Sequence, residues 1–357
     1  MPWPTGAGIV WWVPIAGGCL ETVESTYGSD QHGLIWAYLF EPQAAPVAID
    51  SDQVPGWLHA ATATAGESFL WLHLSLANAA SERWLRRCLA LPEAFYDSLS
   101  EHAGSTRLEQ DGDTLVAVLH DVLFDFTFDP ESVSTVYLCM APRFVVSARL
   151  RPIRSVDRLR GTVRAGHVFR SPAELLAQLL HHQAEVLTDI SRRAAQHVDL
   201  IEDKLLANRI PTSRRELGTL RRTLVRLQRL LAPEPAALFR LLGRSPGWIG
   251  AEDLQELRQS AEDLSAAMAD SGALVERVKL QQEELAALVG EQTSRTLFVL
   301  TVVTVLALPI NLVAGLFGMN VGGIPFAGHR RGFLLIVGVL ALFTLAAAYL
   351  ALWRRRE

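Results

Sequence analysis

The chain has 357 residues, half of them hydrophobic, and a formal net charge of −5. That length allows two or three domains, and the hydrophobic share with a positive mean hydropathy is high for a purely soluble protein. The charge excludes little, whereas three cysteines far apart at Cys19, Cys88 and Cys139, without metal-ligand spacing, read as reduced cytosolic thiols.

The N-terminus, MPWPTGAGIVWWVP, has no basic leader and three prolines, so it is read neither as a signal peptide nor as a first span. The large N-terminal part is therefore expected to stay in the cytoplasm. Five stretches, 33–40, 68–76, 114–124, 133–140 and 143–150, are short, rich in β-branched and aromatic residues and bounded by Gly, Pro or Asp, as strands are. Between the second and third, SERWLRRCLALPEAFYDSLSE has helical periodicity with a proline break, and Ala141-Pro142-Arg143 is a tight turn between antiparallel strands. Residues 1–170 are accordingly expected to be a cytoplasmic mixed α/β domain.

From 171 to 245 the pattern is a helical hairpin. Ser171 as N-cap, Pro172 at the first helical position and Glu174 behind it make the start signal of the first helix. Pro211 breaks the pattern, and a second helix runs from about Ser213 to Leu242 with a kink around Pro233 and Pro235. Between Pro246 and Pro309 there is no proline, and the periodicity predicts one helix of 60 residues or more, some 90 Å long at about 1.5 Å per residue. Its part from 246 to 295 would be a stalk; the alternative is a break at Gly290 that leaves a separate soluble coiled coil. A helix of that length needs lateral partners, so the chain is expected to self-assemble around it.

Thr296 to Gly328 contains no Asp, Glu, Lys, Arg or His, and Gly332 to Trp353 is likewise free of charge. Each run exceeds the roughly 20 apolar residues that cross a hydrocarbon core. Residues 296–357 are therefore read as a membrane domain with spans 296–317 and 332–352, the alternative being two buried helices of a soluble core. Two spans put both termini on one side, and the C-terminal arginines favour the cytoplasm although His329, Arg330 and Arg331 in the connecting loop pull the other way. The fold class is thus an α+β membrane protein whose very long stalk helix continues into the first of two C-terminal transmembrane helices.

If copies of that helix surround an axis, a step of seven residues from Asn311 gives Thr304, Leu297, Gly290, Glu283 and Glu276. The adjoining row gives Gly315, Leu308, Thr301, Ser294, Ala287 and Leu280. Asn311 and the threonines would find no water against lipid and belong in a bundle interior or wet pore, unless, as with many membrane threonines, the hydroxyls bond their own helix. Asn311 follows Pro309, where the helix lacks a donor and is expected to bend. Glu276 and Glu283 are either inner acidic rings or a solvated coiled-coil face. Asn320, in a loop with glycines at 315, 318, 322 and 323, is either a helix C-cap or the amide that faces the axis at the mouth and holds a hydrated cation by its water shell. Nine arginines against two acids in 209–244, and ten acids against three basic residues in 252–291, suit a basic hairpin packed near an acidic stalk. His181, His182 and Glu185, or Asp199 with Asp203, are candidate regulatory divalent-ion pairs or plain surface polar residues. Nucleotide loops, zincin-type pairs and nucleophile elbows are absent from the sequence, so neither an enzyme nor, beside a membrane anchor, a nucleic-acid binder is expected.

Gly318-Met319-Asn320, at the end of a first span that contains LPIN (308–311) and before a short loop and a second span, resembles the signature of the CorA metal-transporter superfamily. The following VGGIPFAGHRRGF, together with 129–160 and 221–234, is similar to the ZntB zinc-transporter branch rather than to the branch best known for magnesium. The resemblance implies a homopentamer in the cytoplasmic (inner) membrane with a cytoplasmic α/β funnel, long helices around one axial pore and both termini in the cytoplasm. It implies transport of Zn²⁺ or related divalent ions, coupled to protons, with no tightly bound cofactor. Its partners are then other copies of the chain, the bilayer, divalent metal ions and protons. The selectivity motif would be Gly318, Met319 and Asn320, with Asn320 and Glu283 as the groups that meet the metal and His329 as a proton-responsive residue. Two other readings stay open: a Mg²⁺ or Co²⁺ channel driven by membrane potential, and a non-conducting membrane-anchored coiled-coil scaffold.

Overall fold

The computed structural model describes residues 28–63, 67–100, 105–128, 132–206, 210–319 and 331–353. Two compact units are distinguished: Met1–Phe126 with Ser132–Gln183 and Leu230–Leu264, and Thr127–Glu131 with Ala184–Arg229 and Ser265–Glu357.

The first unit is built on strands β1 (Leu34–Phe40), β2 (Val47–Ile49), β3 (Phe69–Ser75), β4 (Arg107–Asp111), β5 (Thr114–Val122), β6 (Val133–Ala141) and β7 (Phe144–Arg149). They form one sheet in the order β2-β1-β3-β7-β6-β5-β4, antiparallel except where β3 runs parallel to β7. All five strands expected from the sequence are present. Ala141 pairs with Phe144, so Pro142 and Arg143 make the tight turn expected there. The short helices are α1 (Val54–Ala63), α2 (Ala80–Cys88), α3 (Glu93–Ser100) and α4 (Arg154–Arg164). α2 and α3 are the two halves of the proline-broken helix.

Both faces of the sheet are buried, which is why its central strands read as nearly continuous apolar runs. On one face Leu70, Leu72 and Leu74 pack with Trp84, Leu85 and Phe95 of α2 and α3. On the other, Phe40 stacks on Phe69 at 4.6 Å and meets Phe169 edge-on at 5.7 Å. This second face also holds a polar cluster. Arg149 Nε donates to His73 Nε2 at 2.9 Å, so the His73 proton resides on Nδ1, which donates to Ser147 Oγ at 2.8 Å. Trp71 Nε1 donates to the same hydroxyl at 2.8 Å, and Ser147 passes its own proton to Leu72 O at 3.1 Å. Burial, then the charges of Arg149 and Arg160, hold His73 well below the usual histidine range, so it stays neutral. Trp36 stacks on His73 at 4.1 Å and carries the Arg160 guanidinium over its ring at 4.4 Å.

The long helices are α5 (Pro172–Leu206), α6 (Ile210–Leu231), α7 (Pro233–Gly243), α8 (Ala251–Phe317) and α9 (Gly332–Trp353). α5 starts as the sequence indicates: Ser171 Oγ accepts from Glu174 N at 3.0 Å, and the Glu174 carboxylate returns to Arg170 N at 2.6 Å. The second hairpin helix departs from expectation. Pro211 lies in the first turn of α6, a position without an intrahelical partner for the missing N–H. Ala232 separates α6 from α7, which makes two helices where one kinked helix was expected, and Pro233 opens the second. In the first unit the carboxylate of Glu234, wholly buried on α7, accepts from His120 N at 2.6 Å and from Gln183 Nε2 at 2.7 Å.

In the second unit Ala194, Val198 and Ile201 of α5, Leu217, Leu220 and Leu224 of α6, and Leu274, Val275, Val278 and Leu285 of α8 form one apolar core. Gly272 allows α6 to approach closely: a Cβ there would lie 3.2 Å from the Gln228 amide. α8 is unbroken for 67 residues and passes through Gly290, which excludes the alternative of a separate coiled coil ending there. The fold class is therefore as expected, a mixed α/β part with a very long helix that carries a membrane-spanning segment.

Candidate functional site: the membrane strip of the long helix

α8 joins two chemically different halves. Up to Leu285 it buries one face, whereas from Glu291 onward none of its residues is fully buried in the chain. Its apolar end is long enough to cross a membrane, and α9 opens with a further apolar stretch, Gly332–Ala347. Such exposed leucines and valines cannot face water over that length, so lipid and other helices must cover them.

Within the strip, Leu297 and Leu308 are exposed, as are Ser294, Thr301, Thr304, Asn311 and Gly315. Thr301 Oγ1 donates to Leu297 O and Thr304 Oγ1 to Leu300 O, both at 2.8 Å. Each hydroxyl is thus spent on its own helix and leaves a lone pair outward. Pro309 sits inside α8, where it offers no proton to the carbonyl one turn back. The helix ends at Phe317; Gly318 N bonds Ala314 O at 3.0 Å and Met319 N bonds Leu316 O at 3.4 Å. A Cβ on Gly318 would lie 3.2 Å from the Ala314 carbonyl oxygen, a tight contact at the first position of the tripeptide. Met319 is half exposed. Asn320 and His329 lie outside the described residues.

Glu276 and Glu283 project from exposed positions on the N-terminal side of the strip. Lys279 lies 3.4 Å from Glu276, so Glu283 carries more of the unshared negative charge of the two. Arg277 points elsewhere and grips Asp199 at 2.6 Å and Glu202 at 3.3 Å on α5. The expected match of arginine hairpin to acidic stalk takes a different form: Arg221 of α6 bonds the neutral Gln282, and Arg170, before α5, binds Glu252 and Glu256. Asp199 is engaged by arginine, His182 Nε2 lies 3.1 Å from Thr162 Oγ1, and His181 Nδ1 lies 3.4 Å from Asp263. No group of three His, Cys, Asp or Glu is placed to hold a metal ion among the described residues.

A family model described as "CorA-like Mg2+ transporter protein" matches residues 66–355. The chain belongs to the CorA family. This is a family of membrane transporters and channels, not an enzyme class. Similar curated proteins include the "Zinc transport protein ZntB" of Yersinia pestis, 26% identical over 327 residues, which are 90% of this chain and 95% of that protein. The "Divalent cation transporter CmaX" of Pseudomonas aeruginosa is 28% identical over 319 residues, 88% of this chain and 95% of that protein. Among solved structures, full-length CmaX superposes with a TM-score of 0.75 at 27% identity, covering 91% of this chain and 99% of its own. The CorA magnesium transporter of Methanocaldococcus jannaschii shares the fold at a TM-score of 0.71 and 18% identity, over 88% of this chain and 96% of its own. The CorA-family fold thus extends through the membrane helices.

Proposed function

We propose that this CorA-family chain transports divalent metal cations across the cytoplasmic membrane, with Zn²⁺ as its main cargo, through the axial pore of a homopentamer coupled to protons. The observation that carries this reading is the continuity of α8 from the exposed Glu276 and Glu283 to Gly318 and Met319, in a chain similar to ZntB and CmaX. Residues 1–170 would form the cytoplasmic domain, 171–245 the helical hairpin, 246–295 the stalk and 296–357 the membrane domain, with both termini in the cytoplasm.

Leu297, Thr301, Thr304, Leu308, Asn311 and Gly315 line the pathway, with Ser294 at its inner end. With the two threonine hydroxyls bonded to backbone, the wall offers a cation only weak acceptors between apolar rings, so the ion passes with its water shell. At the outer mouth the Asn320 amides meet that shell. Arg331 and the neighbouring His329 and Arg330 make the mouth basic, so cations are not concentrated there, and Glu283 with Glu276 supplies attraction at the inner end.

One observation favours a second reading: no Asp, Glu, His, Lys or Arg lies between Thr296 and Gly328 or between Gly332 and Trp353, as in a channel that follows membrane potential alone and carries Mg²⁺ or Co²⁺. Zn²⁺ uptake into proteoliposomes with and without a pH gradient separates the cases. Flux that needs the gradient supports coupled zinc transport, flux indifferent to it supports the channel, and absence of flux leaves a membrane-anchored scaffold.

A further inference from the structure

The outer face of α6 carries a row of positive charge. Arg215, Arg222 and Arg229 recur every seven residues and are exposed, on the side opposite Leu217, Leu220 and Leu224, which α6 buries in the core of its unit. Arg222 Nη2 donates to Thr219 Oγ1 at 3.3 Å, and none of the three arginines has an ion-pair partner among the described residues. α8 carries a row of the same period. Asp270, Arg277 and Glu284 are seven residues apart and exposed. Asp270 and Glu284 have no ion-pair partner among the described residues, while Arg277, bound to both Asp199 and Glu202, leaves one negative charge over at its level. Each of the three levels therefore offers one unmatched charge, cationic on α6 and anionic beside α8.

The levels agree as well. Arg221 bonds Gln282, and a Cβ on Gly272 would lie 3.2 Å from the Gln228 amide, so α6 runs antiparallel to α8. Carried along both helices, these two contacts set Arg215, Arg222 and Arg229 within about four residues of the levels of Glu284, Arg277 and Asp270, or about 6 Å at 1.5 Å per residue. The long arginine side chain spans such an offset. Within one chain the rows face apart, because the arginines point away from the core that joins α6 to α8. Rotation about an axis along α8 leaves every level unchanged, and two unlike, complementary faces on one chain are what a closed ring of copies requires.

We propose that the arginine row of α6 docks on the acidic row of the neighbouring copy: Arg215 on Glu284, Arg222 on Asp199 and Glu202 around Arg277, and Arg229 on Asp270. Glu276 and Glu283 lie one residue, about 100°, round α8 from that row and stay free for the cation pathway. The contact rests on the proposed self-assembly and not on the cargo or its coupling, so it is tested without transport. Full-length copies carrying Arg229→Cys and others carrying Asp270→Cys, with different tags, are co-expressed, purified in detergent and treated with a short bis-maleimide. Wild type, with its native cysteines, is the blank. A two-chain product that holds both tags is expected from the mixture and not from either variant alone. Arg215→Glu in every copy should lower its yield several-fold by setting like charges face to face, and Glu284→Arg added to it should restore the yield. The mass of the untreated particle separates this contact from the assembly it needs. A single-copy particle would overturn both, whereas an oligomer without the mixed product, or with a yield that does not follow the two charge changes, would overturn the contact alone.

Discussion

Ser147 accepts two buried N–H groups and donates to a third partner, so its hydroxyl has no spare capacity. Ser147→Ala leaves Trp71 Nε1 and His73 Nδ1 without an acceptor in a dry site. The expected cost is about 2–3 kcal/mol, read as a lower melting temperature of the detergent-purified chain; an unchanged melt would mean that water enters the sheet. Asp121 is a second buried residue with a definite pH signature. It accepts from Val122 N, Ser155 N and Ser155 Oγ at 2.7, 2.8 and 2.9 Å, yet burial pushes its carboxyl from 3.8 up to about 7 against those bonds, with Glu234 adding to the rise. The folded chain then holds a proton that the unfolded chain releases near 3.8, so this contribution to stability is full below that pH and is lost as pH rises through about 7. His73 acts in the opposite direction, because its depressed pKa favours folding above the ordinary 6.5 and that support fades below it. The difference between wild type and Asp121→Asn isolates the carboxyl. The wild type should lose melting temperature relative to the variant from about pH 4 to about pH 7, and parallel curves would exclude a raised Asp121.

Among the elements, those with apolar periodicity were legible in the sequence and those held by distant partners were not. β4 reads Arg-Leu-Glu-Gln-Asp, a solvated edge strand without alternation, fixed by pairing with β5 through a turn at Gly112, whose φ is +60°. β2 has only three residues. α4 carries arginines and no side-chain cap of its own; its first turn is capped from β5 by Asp121 on Ser155 N, a contact 34 residues away. α8 is the opposite case, since its pattern persists through Gly290 and Pro309 and packing of Leu274, Val275, Val278 and Leu285 outweighs one helical glycine, worth about 1 kcal/mol. Pro309 costs the same helix about 3 kcal/mol. Pro309→Ala should therefore raise the melting temperature, while restoring the backbone hydrogen bond that Pro309 withholds beside Asn311 should, on the proposed pathway, reduce metal uptake several-fold. A variant that is more stable and transports as fast as the wild type would take Pro309 out of the pathway.

At the scale of the whole molecule, the candidate site can be read where it is written in consecutive residues, whereas whatever an assembly of copies would add to it is not written in one chain. Gly318-Met319-Asn320 stands out in the chain, but which face of α8 meets an axis follows from assembly, and one chain leaves Leu297, Thr304 and Leu308 equally exposed. Proton coupling poses the same question of place. With no acid, base or histidine inside either span, a proton that moves with the metal must be taken up at the ends of the path. On the proposed topology the candidates are His329 outside, the one histidine between the two spans, and Glu276 and Glu283 inside. In the proposed pentamer a histidine at the mouth would change charge near neutral pH, and beside Arg330 and Arg331 of five copies each added proton would raise a repulsion the incoming cation must cross. His329→Gln is thus expected to flatten the dependence of Zn²⁺ uptake on outside pH while leaving uptake at alkaline pH near wild type. Glu283→Gln should instead weaken uptake at all pH values, more at low ionic strength than at high, because an exposed carboxylate acts by screened attraction. Should His329→Gln, Glu276→Gln and Glu283→Gln all keep the wild-type pH profile, none of these groups would carry the coupling proton, and the channel driven by potential would be the better account.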